Sequence, residues 1–285
     1  MNKDLKKIVW LASYPKSGNT WFRVFLANLF SDREGPASIN ELHSTPIASS
    51  RSLFDDHAGV SSSDLSQEEI DELRPEVYRM IAEEAKDPVF HKVHDAWGRT
   101  PSGKTVFPAD VTRAVLYFIR NPLDVTVSFA FHGNKQPGEM VEKVNDPDNA
   151  FCNKPRRLYN QLLQPLSDWS GHVSSWVDDS GLPVHVVRYE DMLADTFAIF
   201  RNALRFAGIE KSDAEIRSAI AASDHRTLAD MEQKEGFREK PIGMKSFFRE
   251  GKSGSWHEHL DASSVNKLVK KHRVMMERFG YLEQK

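Results

Sequence analysis

Short apolar segments alternate with helical segments along this chain, and this alternation restricts the fold more than any other feature. The segments that predict strands are brief and bounded by turn residues. They run from Ile8 to Ser13, from Pro88 to His94, from Arg113 to Ile119 and from Pro183 to Arg188. Strands separated by helices form mostly parallel sheets that are covered on both faces. The sequence therefore predicts an α/β fold, a three-layer sandwich around a central, mostly parallel sheet.

The segments between these strands divide into helices and loops. Helical spacing predicts helices over Thr20–Phe30, Glu68–Lys86, Asn121–Phe131, Leu158–Val177, Asp195–Phe206, Asp213–Ala222 and Ser264–Phe279. Two long stretches, 35–66 and 137–155, are irregular and predict surface loops. A third, 235–254, predicts a basic, glycine-bearing loop. We expect one domain over residues 1–285, with loop-rich insertions near 31–66 and 132–155.

Composition narrows the class of protein. The 285 residues, 40% of them hydrophobic, are enough to bury a core without disulfides or metal sites. A formal net charge of -3 gives no support for a nucleic-acid or membrane partner, which usually requires a basic excess. The single cysteine, Cys152, fits a reducing compartment. With no signal-like N-terminus and no apolar run of membrane-spanning length, we expect a cytoplasmic protein.

The loop that follows the first strand has the composition of an anion site. A helix N-terminus carries free N–H groups and a partial positive charge. Gly18 allows the backbone to approach an anion closely, Lys16 adds a charge, and Ser17, Asn19 and Thr20 add donors. The residues alone leave open a plain capped helix, with Asn19 or Thr20 as the N-cap. A Walker A pattern is absent, which argues against ATP hydrolysis of the usual Mg²⁺-dependent kind.

A second cationic position follows the third strand. Asn121, Pro122 and Asp124 have structural explanations as N-cap, first helical residue and partner of the helix dipole. Arg120 has none, and at a strand tip its guanidinium suits a bidentate grip on a phosphate. Ser128 lies two turns into the helix and is either a ligand or an ordinary solvated serine.

The second strand ends in a candidate general base. Phe90, Lys92 and His94 alternate onto one strand face. A histidine beside a cation is biased toward its neutral form, which suits proton abstraction from an alcohol. A plain polar histidine at a strand end is the alternative. His91 and His94 also have metal-like spacing, but no further ligand set follows, so we expect no metal.

The basic loop near the C-terminus suits a second phosphate clamp or a lid. Its core is Phe248, Arg249, Glu250 and Gly251, followed by Lys252. Glu250 offsets part of the positive charge, so an ordinary surface loop is the alternative.

Taken together, these segments resemble the family of sulfotransferases that use 3′-phosphoadenosine 5′-phosphosulfate (PAPS). Residues 14–21 resemble its 5′-phosphosulfate loop, YPKSGTTW, with Asn19 in place of the first threonine. Residues 120–128 resemble its 3′-phosphate motif, RNPxDxxxS, and residues 92–94 its KTH. Residues 189–191 resemble its YED segment, and residues 248–256 its late RKGxxGDW motif. The matches occur in the family's order and extend over most of the chain.

This resemblance implies a fold like that of P-loop nucleotide transferases and a role for each matched residue. His94 would be the catalytic base, and Lys16 and Lys92 would neutralise charge on the bridging oxygen. The 5′-phosphosulfate would bind to the first loop, and the 3′-phosphate to Arg120, Ser128 and Arg249. Trp21 and Tyr189 would flank the adenine. The implied partners are PAPS, with adenosine 3′,5′-bisphosphate (PAP) as product, and a small-molecule hydroxyl acceptor; no metal is required.

The late motif departs from the family pattern. Glu250 stands where the family usually has lysine, so that contact is lost or shifted to Lys252, and Ser255 replaces the usual aspartate. The family's dimerisation segment is absent after Trp256, which leaves the oligomeric state open. An ATP- and Mg²⁺-dependent kinase, a non-catalytic adenine-nucleotide-binding protein and a secretory sulfotransferase are the alternatives. The acceptor is not predicted, although Phe54, Trp97, Phe129 and Phe131 are candidate pocket residues, the last two more plausible as core.

Overall fold

The fold is built on a four-stranded parallel sheet, in which the first strand of the chain lies between the second and the third, and the last strand lies beside the third. A computed structural model describes residues 5–32, 35–154, 157–241 and 243–282. The sheet consists of β1 (Ile8–Ser13), β2 (Val89–Val93), β3 (Thr112–Ile119) and β6 (Val184–Arg188), and every neighbouring pair is parallel. The predicted α/β class and the four predicted strands are confirmed, and all four carboxyl ends meet at one edge of the sheet.

Helices cover the sheet on both sides, and a two-stranded antiparallel ribbon of β4 (Ala150–Phe151) and β5 (Gln164–Pro165) lies apart from it. The helices are α1 (Asn19–Leu29), α2 (Arg51–Ala58), α3 (Gln67–Glu84), α4 (Pro122–His132), α5 (Pro137–Asn145), α6 (Trp169–Ser174), α7 (Tyr189–Ala194), α8 (Thr196–Phe206), α9 (Asp213–Ala222), α10 (His225–Glu235) and α11 (Ala262–Arg278). A π-helical turn, Ser175–Asp179, extends α6.

The central strand β1 shows why three layers form. All six of its residues are buried, so neither of its faces meets solvent. Trp10 packs into one hydrophobic cluster with residues of α3 and α6, whereas Leu11 packs into another with residues of α1 and α8. A strand buried on both faces requires a helical layer on each, as the continuous apolar run predicted.

Two stretches that were predicted to be surface loops contain buried structure, and those predictions are wrong. Residues 35–66 include α2, whose Phe54 is 1% exposed, and Ile39, which is fully buried in a third hydrophobic cluster. Residues 137–155 include α5, which begins with Pro137 at its first turn. Serine, proline and glycine punctuate these stretches, but tertiary contacts with the core override that local signal.

The helix predicted over Leu158–Val177 is mostly wrong as well. Gln164 and Pro165 form β5 instead, and the helix begins only at Trp169, where the Asp168 side chain caps it. Proline cannot continue a helix without losing a hydrogen bond, which explains why the first half is not helical. Besides α2 and α5, two further helices, α7 and α10, were not predicted. The segment after α10, residues 236–254, is called the late loop; its described residues, which leave out residue 242, are non-helical as expected.

Candidate active site

The loops at the carboxyl edge of the sheet enclose a cavity of ≈ 810 Å³. Each predicted catalytic and nucleotide-binding residue lines it: Lys16, Ser17, Gly18, Asn19, Thr20, Trp21, Lys92, His94, Arg120, Ser128, Tyr189, Phe248, Arg249, Glu250 and Gly251. This convergence follows from the topology, because ligands of open α/β sheets bind outside the carboxyl ends of the strands.

The loop between β1 and α1 leaves its backbone N–H groups free. Lys16 (φ 73°) and Gly18 (φ 98°) both adopt the left-handed conformation. Gly18 occupies the N-cap position without a side-chain cap, so the alternative in which Asn19 or Thr20 caps the helix is wrong. Within this fully described stretch, the N–H groups of residues 16–20 have no protein acceptor. A Cβ at Gly18 would lie 2.7 Å from the Tyr189 ring, so a larger residue does not fit.

Several buried polar atoms along this end of the cavity also lack a protein partner. They are Ser17 Oγ, Trp21 Nε1 and Arg120 Nε. Asn19 differs from its predicted role as a donor in the cavity, because its Nδ2 donates to Leu11 O at 2.7 Å and is turned back toward β1. Buried polar groups are normally paired, so the unmet donors favour a bound ligand with acceptor oxygens.

Arg120 lies between the first loop and the late loop. Its guanidinium donates to Lys16 O at 3.3 Å and to Lys252 O at 3.0 Å, and lies 4.3 Å from the Tyr189 ring centroid. These contacts hold the group at the strand tip with its Nε unpaired. Ser128, two turns along α4, lines the same cavity.

The late loop is attached to α4 by a carboxylate that the sequence explained in another way. Asp124 accepts hydrogen bonds from the N–H groups of Gly254 (2.7 Å) and Trp256 (3.1 Å) and from Ser255 Oγ at 3.2 Å. It was predicted to complement the dipole of its own helix. Its contacts show that it also anchors the C-terminal end of the late loop.

The charges of the late loop are partly paired with each other. Arg249 lies 3.0 Å from Glu250 and stacks at 3.8 Å over the ring of Phe131. Phe131 was favoured as a core residue but is only half-buried. Lys252 lies 3.6 Å from Glu250, which stands at the departure from the family motif. Glu250 Oε2 is nevertheless buried without a hydrogen-bond donor.

His94 follows β2 and presents one ring nitrogen to the cavity. Its Nδ1 lies 2.9 Å from Ser13 O, and since a carbonyl only accepts, Nδ1 carries the proton. Nε2 therefore keeps its lone pair. Burial, then the Lys92 charge, hold the pKa of His94 well below its usual value, so the ring is neutral near pH 7.

A second histidine, which the sequence did not single out, fixes the backbone at His94. His172 is fully buried; its Nδ1 accepts from Tyr117 OH at 2.7 Å and its Nε2 donates to His94 O at 3.0 Å. His91, by contrast, packs beside Trp10 with its ring centroid 5.9 Å away and does not line the cavity.

Lys16 and His132 form a close pair that sequence reasoning also missed. Lys16 Nζ lies 3.4 Å from His132 Nδ1 and 4.0 Å from the centroid of the Phe247 ring. Burial, together with the charges of Lys92, Arg120 and Arg249, lowers the pKa of Lys16 to about 7. Burial and the nearby lysines lower the pKa of His132 to about 3, so this imidazole is neutral.

Glu239, on the late loop, joins two cations at the floor of the cavity. Its carboxylate lies 2.9 Å from Lys92 Nζ and 2.8 Å from the guanidinium of Arg23, which is 1% exposed. The charges of Lys92 and Arg23 hold the pKa of Glu239 at about 2, despite burial. No local motif marks this residue, because its partners are distant in sequence.

Of the four aromatic residues considered for the acceptor pocket, none lines the cavity. Phe54 and Phe129 are core residues, as favoured for Phe129. The cavity wall is instead formed by Phe151 and by Arg157, Tyr159, Asn160, Gln161 and Gln164, and the last five lie beyond the predicted insertion at 132–155. Across the described ranges, no three His, Cys, Asp or Glu side chains are grouped to hold a metal ion. Nor is any described helix long and apolar enough to cross a membrane.

Solved structures of low sequence identity share this fold. Retinol dehydratase, solved with androsterone and the inactive cofactor PAP, aligns with a TM-score of 0.59 at 18% identity, over 95% of this chain and 81% of the other. Mouse sulfotransferase SULT7A1, solved with PAP, aligns with a TM-score of 0.57 at 16% identity, over 96% and 90%.

Comparisons of sequence identify the family. The flavonol 4′-sulfotransferase of Flaveria chlorifolia is 22% identical over 272 residues, 92% of this chain and 77% of the relative. Cytosolic sulfotransferase 1 of Arabidopsis thaliana is 23% identical over 275 residues, 90% of this chain and 75% of the relative. The sequence model of the sulfotransferase domain matches residues 6–280. The chain therefore belongs to the sulfotransferase domain family, as its motifs predicted.

Proposed function

We propose that this sulfotransferase moves a sulfuryl group from PAPS to a hydroxyl group of a small-molecule acceptor, with His94 as the general base. One observation carries the proposal: a neutral histidine with a free ring nitrogen lies in the same cavity as an unpaired set of anion-binding groups. A base and an anion site in one cavity are what transfer from an anionic donor to an alcohol requires.

The residues at one end of the cavity fit the donor. The free N–H groups of residues 16–20 and the buried Ser17 hydroxyl suit the 5′-phosphosulfate. Arg120, Ser128 and Arg249 suit the 3′-phosphate, and Trp21 and Tyr189 suit the adenine. That two proteins of the same fold were solved with PAP supports this choice of nucleotide.

When bound, PAPS would supply an activated sulfuryl group with PAP as its leaving group. His94 Nε2 would accept the proton of the acceptor hydroxyl, because Nδ1 is already committed to Ser13 O. The ammonium groups of Lys16 and Lys92 would neutralise negative charge that develops on the leaving oxygen. Burial lowers the pKa of Lys92, and the Glu239 carboxylate opposes that shift. For Lys92 to act on the leaving oxygen, its Nζ must turn from Glu239.

The acceptor class and the cellular location are proposed together with the activity. Retinol dehydratase was solved with retinol and with androsterone, which are small molecules, and we propose a small-molecule acceptor here too. A relative is named a cytosolic sulfotransferase, and the lone Cys152 suits a reducing compartment, so we propose a cytoplasmic location.

A thermal-shift titration without Mg²⁺ tests the donor class. PAP at about 100 times its dissociation constant should stabilise the protein by roughly 2.7 kcal/mol, and ADP and ATP should do so far less. His94→Ala should keep that shift while its turnover falls about 10²–10⁴-fold. An equal response to ADP, or a response only to ATP with Mg²⁺, would sink the proposal in favour of the kinase. If turnover is unchanged in His94→Ala, His94 is not the general base. If this variant no longer binds PAP, the role of His94 in proton transfer alone is contradicted.

A further inference from the structure

The cavity continues past His94 into a region that the donor assignment does not use. It is lined by Phe151, Arg157, Gln161, Gln164 and Arg238, and we call it the acceptor half. The Phe151 ring centroid lies 6.3 Å from that of His94, and Phe151 pairs with Gln164 in the ribbon of β4 and β5. A molecule seated here places a hydroxyl group next to the proposed base.

One residue that lines this half of the cavity has a buried amide oxygen without a partner. Gln164 is 1% exposed; its Nε2 donates to Gln161 Oε1 at 2.9 Å, and its Oε1 has no donor. Gln161 Oε1 also accepts from Ser49 Oγ at 3.2 Å, so that oxygen is fully used. An unmet buried carbonyl favours a ligand that brings a hydrogen-bond donor, and disfavours a purely apolar one.

The wall that carries these amides is held rigidly. Arg51 Nε donates to Tyr159 O at 2.9 Å, and Leu162 N donates to Ser49 O at 2.8 Å. These contacts bind residues 159–162 to the start of α2. Preorganised polar groups of this kind select a ligand instead of adapting to any ligand.

Two arginines at the rim of the acceptor half carry uncompensated charge. Lys92 is paired with Glu239, whereas Arg157 and Arg238 have no carboxylate partner among the described residues. Arg157 stacks at 4.8 Å over the Tyr159 ring, which orients its guanidinium. Arg238, which immediately precedes Glu239, is exposed and also lines the cavity.

We propose that the natural acceptor carries a carboxylate or phosphate group besides the hydroxyl that is sulfated, and that Arg157 and Arg238 bind this anion. A planar guanidinium matches both anions in geometry. The inference rests on the proposed function, because it takes the acceptor half to be the site of the hydroxyl substrate. The inference goes beyond the proposed function because it selects acidic, hydrogen-bonding acceptors over apolar phenols and lipid alcohols.

Three phenols that differ in one substituent test the proposal with PAPS as donor. They are 4-hydroxyphenylacetate, 4-hydroxybenzylphosphonate and the neutral 4-hydroxyphenylacetamide. We expect kcat/KM for at least one anionic phenol to exceed that for the amide about 10-fold or more, as a charged hydrogen bond allows. Which anion is preferred separates carboxylate from phosphate recognition.

Arg157→Gln and Arg238→Gln should each lower kcat/KM for the preferred anionic phenol about 10-fold and leave kcat/KM for the amide unaffected. Arg226→Gln, an exposed arginine that does not line the cavity, is the matched control.

PAP binding, measured by thermal shift on every variant, separates failure of this inference from failure of the proposed function. If PAP binds but the amide is used as well as both anions, or neither arginine variant changes the ratio, the inference is overturned. Absence of transfer to both anionic phenols by a PAP-binding protein also overturns it. If PAP does not bind to the unmodified protein, the proposed function itself has failed.

Discussion

Lys16 shows how burial changes the chemistry of a single residue. An exposed lysine is charged at any physiological pH, but this one lies among other cations and its pKa is lowered to about 7. A bound anion reverses that effect, since it favours the charged form. The residue is therefore poised to take up a proton when a phosphate-bearing ligand arrives.

This coupling predicts that PAP binding consumes protons above pH 7. Between the free pKa near 7 and the higher pKa of the complex, binding should take up about one proton, and affinity should fall as pH rises, by at most about 10-fold per unit. Calorimetry at pH 8.5 in two buffers of different ionisation enthalpy measures the uptake. Lys16→Met should remove most of it, whereas Lys267→Met on α11 should not. Equal uptake in both variants would show that another group is responsible.

His94 makes a related point about tautomers. One hydrogen bond, from Nδ1 to Ser13 O, determines which ring nitrogen is free. Because the acceptor is a backbone carbonyl, its identity does not depend on which side chain stands at position 13. The geometry of β1 and β2 thus decides the basic atom.

At the scale of elements, the position of the late loop at the cavity is set by carboxylates that attach it to its neighbours. Asp124 of α4 anchors the C-terminal end of this loop. Near its other end, Glu239 forms ion pairs with Lys92 in β2 and with Arg23 in α1. A segment with little secondary structure is thereby connected to α4, β2 and α1 by carboxylates, and Glu232 of α10 also accepts from the N–H groups of Phe247 and Phe248. Its position relative to the sheet depends on these ion pairs and hydrogen bonds.

Glu239→Gln should loosen this arrangement and destabilise the protein. Removing one member leaves the buried Arg23 and Lys92 uncompensated; we expect a loss of about 1–3 kcal/mol in the free energy of unfolding, less than for a fully buried pair because the Glu239 side chain is 23% exposed. The folded pKa of Glu239, about 2, lies below its unfolded value. Its contribution is therefore present above pH 4.5 or so and is lost as the pH falls toward 2.

Urea unfolding at pH 7 and pH 3 measures this contribution. The difference between wild type and Glu239→Gln should shrink at the lower pH. Glu235→Gln, an exposed carboxylate at the end of α10, should change stability little at either pH. If the difference in unfolding free energy between wild type and Glu239→Gln does not depend on pH, the charge of the Glu239 carboxylate is not the source of the stabilisation.

At the scale of the whole molecule, net charge conceals the character of the site. The chain carries a formal charge of -3, yet lysines and arginines clearly outnumber the two carboxylates, Glu239 and Glu250, that line the cavity. A concave site lined by one sign of charge concentrates its field and attracts oppositely charged substrates. The absence of a basic excess in the composition was therefore no argument against a polyanionic ligand.

Hydrogen exchange with and without PAP tests how the molecule responds as a unit. Strands β1 and β3, at the centre of the sheet, should exchange slowest in both states because their opening requires global unfolding. PAP should slow exchange in residues 243–256, which join the cavity to α4, and leave α3, which contributes no cavity residue, unchanged. Equal slowing in α3 would indicate general stabilisation without closure of the late loop.

The four strands of the sheet and the loop that follows β1 were predictable because their signals are local. A buried strand, a glycine with positive φ and a helix start lie within residues 8–20, so sequence spacing alone indicates their geometry. Arg120 and His94 were found in the same way, as residues just past strands. The single-domain organisation and the chemical role of each site residue stay predictions.

The residues that prediction missed depend on contacts between distant parts of the chain. Lys92 and Glu239 are 147 residues apart, Lys16 and His132 116, and His94 and His172 78. Composition and periodicity describe neighbours along the chain, whereas these pairs exist only after the helices have packed. The sequence by itself determined the fold class, the family and the position of the loop after β1. Tertiary packing decided which nitrogen of His94 is basic, which carboxylate binds Lys92, and how polar the acceptor half is, since burial and long-range pairing set the energies of all three.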